Sequence, residues 1–212
     1  MRPHDLLRLT SGAVLRHEGA IPGWVTTSLA RAPWVVVRRA RTPAGLIPVG
    51  VRGHTRAERF AALLAPDAAA AHVTPEDLAA ARGWRHMPRV CWVGSLQVLD
   101  VVDKLFAALG FTWGPIGSVG FELATGVAAA STTSDLDVVV RAPEPWSLEN
   151  ARDIADNLAP LPTHVDVQLD APAGVVMLAE YARGGRVLLR TPDGPRLTCD
   201  PWREAATDLR SA

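Results

Sequence analysis

Ser118 and Asp135 stand seventeen residues apart, and what surrounds each of them limits the folds open to this chain. Gly117-Ser118 closes an apolar run, Phe111 to Ile116, and opens a stretch reaching about Thr125. That pattern predicts a short strand, a tight turn and a brief helix. Asp135-Leu136-Asp137 then leads into Val138-Val139-Val140, which predicts a strand over 136–141. Acids two apart on a strand project from one face. A helix-opening turn followed by a strand with paired carboxylates requires a sheet with helices against it, an α+β arrangement.

Composition narrows the setting. A chain of 212 residues forms one domain or two small ones. A globule of that size buries about 70% of its unfolded surface, so it needs no staples. Net charge is zero, which removes the global argument for nucleic acid or an anionic membrane as a partner. No apolar run approaches the ~20 residues that span a bilayer, and Met1-Arg2-Pro3-His4-Asp5 does not read as a secretory leader. Cys91 and Cys199 lie far apart outside any CxxC pattern, which predicts reduced thiols packed as small core residues in a cytoplasmic protein.

Charge is unevenly spread. Residues 31–59 hold seven arginines and one acid, Glu58, whereas residues 133–170 hold eight acids and two arginines. The basic half reads as strands over 34–38 and 46–52, turned by Thr42-Pro43-Ala44-Gly45, then a helix over 56–64 stopped by Pro66. A further helix starts at Thr74-Pro75-Glu76, with Thr74 as N-cap. The segment 82–89, with Gly83 and Pro88, reads as a linker. The expected organisation is a small basic α+β domain over 1–81, the linker, and a second domain over 90–212 with a mixed sheet flanked by helices.

In that second domain Leu96, Leu99, Val102, Leu105, Phe106 and Leu109 recur at helical spacing and end at Gly110. Ser147 caps a helix through Leu158. The stretch His164 to Asp170 alternates strictly, with Val165, Val167 and Leu169 on one face and Asp166, Gln168 and Asp170 on the other. A helical piece over 175–182, a strand over 186–190 and a proline-rich tail complete the chain.

Two carboxylates on one strand face suit Mg²⁺, which takes hard oxygen ligands and bridges to phosphates. Asp166 on a neighbouring strand is the first candidate for a third ligand, and Asp170, on the same face, is the reserve. At Gly117-Ser118 the unpaired N–H groups of a helix start make an anion site, where glycine admits close approach and the Ser118 hydroxyl adds a donor. Together these predict a nucleotidyltransferase-like domain that is a metal-dependent transferase.

The whole string Trp113-Gly114-Pro115-Ile116-Gly117-Ser118-Val119-Gly120-Phe121-Glu122-Leu123-Ala124-Thr125-Gly126 is more specific. With Ser134-Asp135-Leu136-Asp137 and Val165-Asp166-Val167-Gln168-Leu169, it resembles the phosphoribosyl-dephospho-CoA transferases of malonate decarboxylase, its holo-acyl-carrier-protein synthases. The likeness extends to Arg2-Pro3-His4-Asp5-Leu6-Leu7, Pro48-Val49-Gly50-Val51-Arg52-Gly53, Ala179-Glu180-Tyr181-Ala182-Arg183 and Asp200-Pro201-Trp202. It departs at Asp170, where family members carry glutamate.

The resemblance implies that the prosthetic group of 2′-(5″-triphosphoribosyl)-3′-dephospho-CoA is joined to a serine of the apo acyl carrier protein of malonate decarboxylase, with loss of pyrophosphate. It implies Mg²⁺ as cofactor, Asp135, Asp137 and Asp166 as catalytic and metal residues, and Gly117 and Ser118 as substrate-binding residues. No nucleic acid or membrane partner is expected. An acidic carrier gives the basic region a use, with Arg38, Arg39, Arg52 and Arg56 as docking residues. The rival readings are another Mg²⁺-dependent nucleotidyltransferase, such as one that adenylylates proteins, and a carrier-binding module without catalysis.

Overall fold

The computed structural model of the chain describes residues 1–55 and 57–203. The first half is an antiparallel sheet of β1 (Leu6–Leu9), β2 (Trp34–Val37), β3 (Ile47–Arg52), β4 (Arg59–Leu64) and β5 (Ala69–Val73), in the order β4-β3-β2-β1-β5. Helix α1 (Gly23–Arg31) adds Val25 to the buried face formed by Leu7, Val35, Val37, Val49, Ala62 and Leu64. Because side chains alternate along a strand, the other face carries a different row. Leu6 pairs with Val36, Val36 with Gly50, and Gly50 with Ala61, while Arg52 pairs with Arg59 beside them.

The second half begins with α2 (Pro75–Ala81), capped by Thr74 as predicted, with Asp77 completing a capping box. The Thr74 hydroxyl accepts from the Asp77 N–H at 3.1 Å, and the Asp77 carboxylate accepts from the Thr74 N–H at 2.9 Å. There follow α3 (Gly94–Gln97), α4 (Leu99–Ala108), β6 (Trp113–Pro115), α5 (Gly117–Thr125), β7 (Leu136–Arg141), α6 (Leu148–Leu158), β8 (Val165–Ala171), β9 (Gly174–Met177), α7 (Leu178–Arg183), β10 (Val187–Thr191) and β11 (Gly194–Thr198). The strands form a mixed sheet in the order β11-β10-β9-β8-β7-β6. Only β7 and β8 run parallel, joined through the crossover helix α6. A second core of Leu96, Val102, Phe106, Leu136, Val138, Ile154 and Leu169 lies under this sheet. The α+β class therefore holds. No helix among the described residues is long and apolar enough to cross a membrane.

Several local expectations need correction. The helix expected over 56–64 is the strand β4, and Arg56 lies outside the described residues. Arg59–Leu64 is rich in alanine and leucine, which favour helix, but six consecutive pairs with β3 override that preference. The helix expected over 175–182 opens as β9 before α7, and the tail forms β11. The helix expected over 96–109 is broken at Val98 into α3 and α4. Residues 82–89 form 3-10 turns in which Trp84 is fully buried and donates its indole N–H to Asp100 at 2.9 Å. Both cysteines are exposed rather than packed in a core.

The halves are tied by charge. The Asp170 carboxylate accepts from Arg39, just after β2, at 2.6 Å and from Arg141 of β7 at 2.7 Å, and Arg141 also donates to Glu76 of α2. Burial opposes ionisation of Glu76, but the bond and charge of Arg141 hold its carboxyl below the usual range. Arg141 is itself 8% exposed, so this network is shielded from solvent. Asp170→Asn is expected to cost about 2 kcal/mol, the worth of a charged hydrogen bond. Thermal unfolding should then shift down by roughly 4–8 °C; an unchanged midpoint would remove Asp170 from the joint.

Candidate active site

Helix α5 starts where β6 ends, and the Ile116 N–H donates to the Asp137 carbonyl at 2.9 Å, locking that turn to β7. The first intrahelical bond runs from the Gly120 N–H to the Ile116 carbonyl. The N–H groups of Gly117, Ser118 and Val119 therefore precede the helical ladder, and no side chain caps the helix. Gly117 has φ +61°, the left-handed region, and a Cβ there would sit 2.2 Å from Asp137 Oδ2. Only glycine lets the Asp137 carboxylate lie against the helix start.

Gly117, Ser118, Asp135 and Asp137 share the wall of one cavity of about 940 Å³ between the two halves. Arg31, Arg52, Arg59 and Arg89 line it too; with Arg89 paired to Glu122, three further guanidiniums line a wall that holds two carboxylates, a lining that suits a polyphosphate with a divalent cation. Asp166 is the register partner of Asp137 on the parallel strand β8, but it lies outside this wall, with its carboxylate 3.2 Å from His164 Nε2. Among the described residues no three His, Cys, Asp or Glu side chains converge as a metal cage. Asp135 and Asp137 offer two hard oxygen donors on one cavity wall, a donor type that suits a divalent cation such as Mg²⁺. Asp170, the reserve ligand, is instead engaged by Arg39 and Arg141.

Sequence reasoning missed Glu122. Its side chain is 1% exposed, and Oε2 accepts from the N–H groups of Ala129 and Ala130 at 2.8 and 2.9 Å. Oε1 accepts from Arg89 Nε at 2.8 Å, and Arg89 also donates to the Ala130 carbonyl. This buried pair fastens residues 127–134, the loop that lines the cavity and delivers Asp135. The sole signal in the sequence was an acid inside the apolar string of α5. Arg38, Arg39 and Arg52 line the cleft between the halves, Arg39 is ion-paired, and Arg56 lies outside the described residues.

His4 is the second unforeseen residue. It has φ +76°, uncommon for a residue with a side chain. The turn that imposes this conformation is held by the Arg2 N–H donating to Asp5 at 2.8 Å, by His72 bonded to the same oxygen, and by the His4 N–H donating to the Val37 carbonyl. Burial, followed by the charges of Arg39 and Arg141, lowers the imidazole pKa to about 4. The unfolded chain therefore takes up a proton near pH 6.5 that the folded chain refuses, and stability falls as pH drops from 6.5 toward 4. The loss is on the order of 3 kcal/mol across that window. His4→Gln should flatten that part of a denaturant-derived pH profile. Parallel profiles for the two proteins would contradict the assignment.

A family model described as the phosphoribosyl-dephospho-CoA transferase MdcG C-terminal domain matches residues 80–201, and one described as the N-terminal domain matches residues 2–75. A phosphoribosyl-dephospho-CoA transferase of Pseudomonas putida is 42% identical over 202 residues, 95% of each chain. One of Azotobacter vinelandii is 41% identical over 210 residues, 97% of this chain and 96% of that one. One of Pseudomonas aeruginosa is 37% identical over 208 residues, with the same coverage as the Azotobacter protein. No solved structure matches the chain. With both domain models in order and relatives aligned from end to end, the chain belongs to the phosphoribosyl-dephospho-CoA transferase family.

Proposed function

We propose that this protein transfers the phosphoribosyl-dephospho-CoA prosthetic group from its triphosphate donor to a serine of an apo acyl carrier protein, in the cytoplasm, with a nucleotidyltransferase-like second half as the catalyst. The single observation that carries the reading is the shared cavity wall of Gly117, Ser118, Asp135 and Asp137 in a chain of this family. Residues 1–81 and 90–212 act as two domains that close on the donor from opposite sides.

Chemically, the carrier serine Oγ forms a bond to the phosphorus borne by the donor's 5″ oxygen. The bond from that phosphorus to the bridging oxygen breaks, and pyrophosphate departs with the electron pair. Asp135 and Asp137 would hold Mg²⁺, which supplies charge neutralisation on the phosphate oxygens. The N–H groups of Gly117 and Ser118 grip the outer phosphates, and Arg52 and Arg59 offset the charge that grows on the leaving group. Glu122 and Arg89 keep the cavity loop in place. Asp166, one strand away from Asp137 and bonded to His164, is the proposed acceptor of the serine proton. Such transfer depends mainly on positioning and electrostatics, so few side chains need react covalently.

A donor panel tests this reading. The triphosphoribosyl donor and the four ribonucleoside triphosphates, each labelled on the α-phosphate, are offered with the apo carrier, its serine-to-alanine form and a chelator. Label is expected on the carrier from the triphosphoribosyl donor alone, lost with the alanine carrier and with the chelator. Label from ATP would favour protein adenylylation, and binding without label would favour a carrier-binding module.

A further inference from the structure

A second cavity of about 470 Å³ adjoins the first and shares Arg52, Arg59, Gly117 and Phe121 with it. Its floor is the cross-strand row Leu6, Val36, Gly50 and Ala61, on the sheet face that the first core does not use. At the centre of that row the strand contributes no side chain of its own, and the Arg38 stem covers it. Gly50 has no side chain, and a Cβ there would meet the Arg38 side chain at 3.1 Å. Ile116 and Phe121 line the same cavity from the second half. A mostly apolar slot with a few polar groups at its edge is the usual form of a small-molecule site.

We propose that this slot seats the purine base of the donor, an inference that rests on the donor assigned above. Its lining favours a flat ring over a chain. Gly50 and Ala61 keep half of the floor low, Phe121 lines the slot, and the Arg38 stem lies across Gly50, where its planar guanidinium can stack on a heterocycle. His4 stands in the wall as a neutral imidazole; Gln168 engages one ring nitrogen, which leaves the other for one hydrogen bond to a purine edge. A pantetheine arm carries two amides spaced along an extended path, each needing its own partners, whereas the floor row Leu6, Val36, Gly50 and Ala61 presents no polar side chain. Connectivity agrees. In the donor the base and the triphosphate sit on two ribose rings linked directly, so their sites must share a wall, as these cavities do at Gly117 and Phe121.

Dephospho-CoA, which lacks the triphosphoribosyl arm and cannot be transferred, is the probe. Saturation-transfer NMR on the wild-type protein is expected to give its strongest signals at the adenine H2 and H8 protons. Ala61→Trp, which fills the slot from an exposed strand position, should weaken dephospho-CoA binding by about tenfold or more in calorimetry. Binding of inorganic triphosphate to the neighbouring chamber should be unchanged. Gly50→Val provides the same test from the centre of the floor if Ala61→Trp unfolds. Dominant signals from the pantetheine methyls, or variants that bind as tightly as wild type, would overturn the proposal. Because no transfer is measured, the result is independent of whether the carrier is modified.

Discussion

Asp137→Ala is expected to lower the rate of transfer by about 10³-fold, the scale of removing one preorganised electrostatic contact from a transition state. That loss corresponds to about 4 kcal/mol of barrier. Asp137 combines three properties: it lies on the strand that pairs with β8, its carboxylate rests against Gly117, and it shares the cavity wall with Ser118 and Asp135. Removing it takes away a proposed metal ligand and the group that packs the helix start. Asp135→Ala should act in the same direction. Carrier binding should be nearly unchanged in both variants, because neither acid is assigned to carrier docking. Single-turnover transfer with saturating donor measures the effect, and circular dichroism controls for the fold. Turnover at the wild-type rate in either variant would refute the ligand assignment.

Glu122→Ala should be the most damaging substitution for stability. It leaves the Arg89 Nε–H and the N–H groups of Ala129 and Ala130 without their acceptor. Breaking a buried charged pair in this way costs about 3–5 kcal/mol. For a chain of this size that lowers the unfolding midpoint by roughly 10 °C. The same change releases the loop that leads into Asp135, so the variant should also lose transfer at temperatures where it remains folded. Glu122→Gln keeps one acceptor for the two loop N–H groups but turns an amide donor toward Arg89, so its cost should be about half. Calorimetry on the three proteins checks the order wild type, Gln, Ala. A midpoint within 2 °C of wild type for Ala would show that the loop is held by other contacts.

The second half was more legible in the sequence than the first, for physical reasons. Residues 117–125, 136–141, 148–158 and 165–170 each carry one clean signal: a Gly-Ser turn, a β-branched run, a serine cap with helical periodicity, and strict alternation. The first half lacks such signals. Helix α1 starts after Pro22 with no side-chain cap and no acid in its first turn. Strands β4 and β5 are built largely from alanine and leucine, so pairing with β3 and β1 decides their conformation. Of the predicted site residues, the fold brings Gly117, Ser118, Asp135 and Asp137 to one cavity wall and leaves Asp166 one strand away. Glu122 and His4 were hidden because their partners are distant in sequence: Arg89 is 33 residues from Glu122, and the Arg39 and Arg141 charges reach His4 from both halves. Asp170 was visible as an acid on the right face, but its pairing with Arg39, 131 residues away, could be known only from the fold.

Intact-mass spectrometry of the apo carrier after incubation with this protein, Mg²⁺ and the triphosphoribosyl donor tests the central assignment most directly. The carrier should gain the mass of one phosphoribosyl-dephospho-CoA group at a single serine, with one pyrophosphate released per carrier. A carrier of unchanged mass, or one that gains a nucleoside monophosphate when ATP is supplied instead, would contradict it.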